Sequence, residues 1–180
     1  MVVELTGARL LAPTFGSSVV PWTAVIASVL TGIALGNVWG GRRSQSGGAR
    51  LLRALLAASA ALVLLPLVRL DLPDVLFRSL GSVLGGLASS LVLLLPAAFL
   101  LGASGPLLVR IGTSSMDEVG RRSGSLSGAN ASGAILGTLL TGFVLVPLFP
   151  VSTILLSTSA VLAGAALLVH NMVLPFDERL

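Results

Sequence analysis

Few side chains in this sequence can do chemistry. Its 180 residues hold eleven arginines, seven acids and one histidine, and no lysine, cysteine or tyrosine. Without cysteine there are no disulfides, thiolate metal sites, iron–sulfur clusters or thiol nucleophiles. Without lysine there is no Walker-type phosphate loop, and no two glycines stand two apart, so a G-x-G-x-x-G loop is also impossible. Glu4 stands alone, Asp71 and Asp74 flank Pro73, and Asp117-Glu118 and Asp177-Glu178 are adjacent pairs. None is spaced as a buried acid dyad, and the pairs read as solvated loops. His170 has no acid on its own predicted helix, 151–173, with which to relay a proton. The sequence therefore presents no catalytic constellation, no metal site and no cofactor loop. Three polar residues stay as candidates for a solute or structural contact. Glu4 and Arg9 bracket an apolar run at one membrane face, and Asn130 falls inside an otherwise apolar stretch, where an unpaired amide is expensive and should bond across helices.

The elements that must position these residues follow from where charge is missing. The chain is 54% hydrophobic and 10% charged, against roughly 25% charged in a soluble domain, and its mean hydropathy is +1.01. Charge at mid-bilayer costs several kcal/mol, so charged residues mark exits from lipid. Uncharged runs of 32, 15, 31 and 54 residues separate Arg9 from Arg42, Arg53 from Arg69, Arg78 from Arg110, and Arg122 from Asp177. A crossing helix needs roughly 20 residues, so the last run must fold back, and Pro147-Leu148-Phe149-Pro150 is the place. The sequence thus predicts an all-α integral membrane protein, a single transmembrane domain over 1–180. Its bundle has about five transmembrane helices, at 18–40, 51–70, 79–102, 124–147 and 151–173. Arg53 and Arg69 snorkel from the ends of the second span. The third continues to a kink or break near Gly102, Gly105 and Pro106.

Trp22 and Trp39 lie 17 positions apart, about 26 Å of helix rise, which places each in an interfacial belt. Eight arginines fall on the side holding the 42–50 and 110–122 loops and the C-terminal tail, and three on the other. The positive-inside rule then puts the C-terminus in the cytoplasm and the N-terminus outside a cell membrane. The net charge of +4 needs no nucleic acid as partner, because short juxtamembrane loops carry it toward anionic headgroups of the lipid bilayer.

Twenty-one glycines would weaken soluble helices, but in lipid small residues four apart form contact faces. Gly32, Gly36 and Gly40 make a ridge on the first span, and Gly81 and Gly85 a pair on the third. The fourth carries Gly124/Gly128, Gly133/Gly137 and Gly142, and the fifth Ala160/Gly164. A compact bundle is expected to pack through these small-residue faces, which can meet within one chain or between copies.

In order, Glu4, Arg9-Leu10-Leu11-Ala12-Pro13-Thr14-Phe15-Gly16-Ser17-Ser18 and Trp22-Thr23 resemble the opening of the membrane domain of membrane-embedded spermidine synthase-like proteins. Gly32, Gly36, Gly40-Gly41-Arg42, then Gly105-Pro106-Leu107-Leu108-Val109-Arg110, then Gly124, Asn130, Gly133, Gly137, Gly142 and Pro147 match later blocks, so that the resemblance covers roughly 1–165. That membrane part is similar to the major facilitator superfamily. In the family a helix precedes the glutamate block. Residues 1–17 are therefore an extracytoplasmic lead-in or the end of a truncated upstream helix. The family's soluble aminopropyltransferase domain has no counterpart here, so no catalytic residue is carried over and this chain alone is not expected to transfer an aminopropyl group.

The resemblance implies a membrane module that anchors or gates for a separately encoded soluble transferase-like subunit docking on the arginine-lined loops. Two alternatives stand beside it. One is a small homo-oligomeric transporter of a polyamine-related or other small solute. The other is a structural subunit of a larger membrane complex. Arginine-only usage suggests a GC-rich or halophilic prokaryote.

Overall fold

The computed structural model of the chain describes residues 1–16, 18–44, 48–112 and 119–177. It is 92% helix, with no strand among the described residues. In order come α1 (Val2–Phe15), α2 (Val19–Arg43), α3 (Ala49–Leu62), the one-turn α4 (Leu65–Val68) and α5 (Leu72–Ile111). There follow α6 (Val119–Leu140), a wide π-type turn at Thr141–Leu145, the short α7 (Val146–Leu148) and α8 (Val151–Asp177). Five segments are long and apolar enough to cross a membrane: Val19–Arg43, Ala49–Val68, Leu72–Ile111, Gly120–Leu148 and Val151–Asn171.

The central pair is α2 and α5, and glycine is what brings them together. A Cβ added at Gly32 would lie 2.9 Å from the Leu95 carbonyl oxygen, at Gly36 2.1 Å from that of Phe99, and at Gly40 2.3 Å from that of Ala103. No residue with a side chain fits at such distances, so the backbones touch along the ridge. Both residue series rise together, so α2 and α5 run parallel. Gly102 answers from α5, with a Cβ there 2.6 Å from the Ile33 carbonyl oxygen. Higher up, the Ser28 and Ser90 hydroxyls meet at 2.8 Å, and Ser90 also donates to the Ala24 carbonyl at 3.1 Å. Close backbones and buried hydroxyl pairs are how helices adhere when no hydrophobic drive separates them from solvent.

The other elements pack around this pair. Helix α1 runs antiparallel to α5: a Cβ on Gly7 would meet the Leu94 side chain at 2.7 Å, and one on Gly86 the Phe15 ring at 3.6 Å. Ala8, Leu11, Phe15, Val25, Val29, Leu93, Leu94 and Ala98 form the main core. Helices α3 and α8 form an antiparallel pair on the far side of α5, where Ser159 donates to the Ala60 carbonyl at 2.8 Å. Val63, Ala97 and Leu155 bury together there.

Three features bear on the sequence expectations. Residues 2–15 form a helix whose Thr6, Gly7, Ala8, Leu11 and Phe15 are buried. The break in α5 is not near Gly102, Gly105 and Pro106 but at Gly81, with φ 77° and ψ −171°. Only glycine adopts that conformation cheaply, and it folds Leu72–Leu80 back so closely that a Cβ on Gly85 would sit 2.8 Å from the Leu76 carbonyl oxygen. Gly81 is thus a hinge with nothing within 4 Å of its would-be Cβ, not half of a contact ridge. Pro96 and Pro106 sit inside the continuing helix, where each removes one donor without ending it. Finally, the glycines of α6 pack on almost nothing. Among the described residues, Gly124, Gly128 and Gly133, with Gly142 of the π-type turn, meet no atom within 4 Å, and Gly137 meets only the Met1 Cβ at 4.0 Å. Among the described residues close glycine packing is confined to α1, α2 and α5, because α6 stands away from the bundle and only 6% of its most apolar stretch is buried, against 44% for α5.

Candidate functional site

The polar residues singled out from sequence do not converge on one point. Glu4 lies within the bundle rather than on its rim. Pairing of Gly7 with Leu94 and of Phe15 with Gly86 sets the antiparallel register, which puts Glu4 level with Ala97, near the middle of α5. Its side chain is 12% exposed and lies 3.9 Å from the Met1 amine, while its Oε2 is buried without a hydrogen-bond partner. The Thr141 hydroxyl is likewise buried and unpartnered. The parallel register of α1 and α6, from Met1 beside Gly137 to Arg9 beside Val146, brings Thr141 to the height of Glu4. Thr141 also opens the π-type turn. Such turns recur at functional positions, and this one has a local cause. Pro147 offers no N–H to the Phe143 carbonyl, and its ring crowds that carbonyl.

Arg9 lies one and a half turns further along α1, on another face. Its guanidinium donates to the Val146 carbonyl, which has no helical partner because Pro150, four residues on, lacks an N–H. Arg9 lines a cleft of about 510 Å³ between α1, the start of α2 and the proline turn, with Leu5, Ala12, Pro21, Trp22 and Val146 among its walls.

Asn130 lines a second cavity of about 580 Å³, between α2, α5 and α6. Here Asn37, Ser104, Ser123 and Ser127 join it. The Asn37 Oδ1 lies 3.6 Å from where a Cβ on Gly105 would be, so the missing side chain at Gly105 leaves room for that amide. Two amides and three hydroxyls, with no carboxylate among the described residues, suit a neutral solute that both donates and accepts hydrogen bonds. Asn37 was missed in the sequence, although it directly follows Gly36 on the ridge and is the only polar side chain between Thr31 and Arg42.

The described arginines of one end, Arg42, Arg43, Arg50, Arg53, Arg110, Arg121 and Arg122, sit where α2 and α5 finish and α3 and α6 begin. Arg43 stacks over Trp39 at 5.7 Å, and Trp39 meets Phe99 at 5.8 Å. Arg53 bonds to the His170 ring, which ties α3 to α8 and gives that histidine a structural partner. At the opposite end Thr14 donates to Asp74 at 2.7 Å. Asp117, Glu118, Glu178 and Arg179 lie outside the described residues. Among the described residues no three metal-ligating side chains gather.

No protein-family model, curated protein or solved structure matches this chain.

Proposed function

We propose that the chain is an integral, multi-pass membrane module that works inside a larger assembly. The observation that carries this is α6. Its residues 119–140 hold four serines, Asn130 and Thr138 among five glycines, and almost none of that surface is covered by the described residues of the chain. In lipid such a helix gains little from acyl chains, whereas small and hydroxyl-bearing faces adhere well to another helix. The ridge of the same pattern on α2 is fully engaged with α5, which supports reading the α6 face as engaged by something outside this chain.

The arginine-rich end lies in the cytoplasm of a cell membrane in this reading, with the N-terminus outside. The resemblance to spermidine synthase-like membrane domains supplies the kind of assembly. The module anchors or gates for a soluble aminopropyltransferase-like partner that docks on the arginines of the cytoplasmic end. Purification of the tagged chain in gentle detergent, with mass spectrometry of what accompanies it, tests this. A stoichiometric transferase-like protein is the expected result, and a chain that purifies with no second polypeptide and no second copy contradicts it.

The Asn37/Asn130 cavity favours a second reading, a homo-oligomeric carrier of a small solute. The absence of a carboxylate among the described residues of its lining speaks for a neutral solute rather than a polyamine cation. Reconstituted chain should then move solute into vesicles, and Asn130→Ala should slow it. Equal rates for that variant and the parent would remove the cavity from the account.

A further inference from the structure

The cleft beside Arg9 combines one guanidinium with apolar walls. Arg9 uses one donor on the Val146 carbonyl, and a guanidinium carries five. Among the described residues no acid lines the cleft. Asp74, held at 2.7 Å by Thr14, lies off a different face of α1, since a five-residue step turns the helix by about 140° from Arg9. Arg9 stands six residues before the end of α1, about 9 Å down the helix. In a membrane its charge therefore lies below the helix end, within reach of headgroups by snorkelling. Trp22, 41% exposed, shares the cleft, as suits an interfacial ring. A charge with no counter-ion among the described residues, set over walls of Leu5, Ala12 and Pro21, is complementary to an amphiphile with one anionic group and an apolar body.

We propose that this cleft seats an anionic phospholipid, its phosphate on the free donors of Arg9 and its acyl chain against the apolar walls. This rests on the membrane reading above but not on any partner or transported solute. Guanidinium and phosphate match as a bidentate, charge-assisted pair, whereas the arginines of the other end serve anionic lipid only through diffuse attraction.

The chain's two tryptophans make the test local, because Trp39→Phe leaves Trp22 as the reporter. The full chain carrying that change goes into phosphatidylcholine nanodiscs doped with brominated phosphatidylglycerol or with brominated phosphatidylcholine. One hydrogen-bonded ion pair enriches the anionic lipid at the cleft roughly tenfold, so the anionic quencher should act on Trp22 at much lower mole fraction. Arg9→Gln should abolish the preference, Arg9→Lys should keep part of it, and Arg110→Gln, at the other end, should leave it intact. Equal quenching by both lipids in the parent overturns the proposal, as does an equal loss in Arg110→Gln. Soluble glycerol phosphate that erases the preference would show a site for free phosphate esters and overturn the lipid assignment. The membrane reading fails separately, if alkaline carbonate strips the chain from membranes.

Discussion

Alanine at Gly36 puts a methyl group where α2 and α5 leave no space. Its Cβ would lie 2.1 Å from the Phe99 carbonyl oxygen and 2.8 Å from the Ala103 nitrogen. Normal contact needs about 3.3 Å, so the helices must part by about 1.2 Å at this point. Overpacking of this kind costs roughly 1–3 kcal/mol. If the separation carries along the interface, the Ser28–Ser90 bond opens from 2.8 Å to about 4.0 Å, beyond hydrogen-bond range, for a further ~0.5–1.5 kcal/mol. Gly36→Ala should therefore destabilise by about 2–4 kcal/mol, less any gain from alanine's better helix propensity. The same geometry ranks the ridge: Gly36 suffers most, then Gly40 at 2.3 Å, then Gly32 at 2.8 Å from the Ala98 Cβ. Gly133→Ala on α6, with nothing within 4 Å, is the internal control and should be neutral or slightly stabilising in the isolated chain. Unfolding in mixed micelles of mild detergent and dodecyl sulfate, followed by tryptophan emission, reads all four variants. Gly36→Ala as silent as Gly133→Ala would refute close α2–α5 packing.

Further outcomes follow from the same geometry. Gly81→Ala meets no neighbour among the described residues, yet φ 77° with ψ −171° should cost it about 1–3 kcal/mol by backbone strain alone, read in the same unfolding assay. A double-mutant cycle of Ser28→Ala and Ser90→Ala should give a coupling near 0.6 kcal/mol, as for hydroxyl pairs between membrane helices, and a coupling of zero would remove that bond from the account. The cysteine-free chain suits accessibility labelling: Arg50→Cys should react in everted vesicles and not from outside intact cells, and labelling from outside would invert the topology.

Much of the bundle was legible because charge and hydropathy are coarse, robust signals. Arg42, Arg78, Arg110 and Arg122 bound stretches that can only be long apolar helices. The four-residue spacing of Gly32, Gly36 and Gly40 also identifies a face. What spacing lacks is the partner. Gly124 and Gly128 show the same period as Gly32 and Gly36, but only the α2 ridge meets another backbone in this chain. The kink was misplaced for a related reason. Gly102, Gly105 and Pro106 look like a breaker cluster, yet Gly102 serves close contact with Ile33, while a left-handed φ at the less conspicuous Gly81 bends the chain. Glu4 and Arg9, bracketing an apolar run at one membrane face, read as rim residues in the sequence. Burial of Leu11 and Phe15 against α5 outweighs that, and draws Glu4 inside.

The central claim is that α6 is covered by another polypeptide. Gly128→Cys and Gly133→Cys, each in the otherwise cysteine-free chain and carrying a thiol-linked benzophenone, can be irradiated in native membranes beside Leu84→Cys on the exposed side of α5. The account predicts strong polypeptide adducts from the two α6 positions, to a partner or to a second copy, and few from position 84. Adducts from α6 no more abundant than those from position 84 would mean that lipid alone covers the helix, and would contradict it.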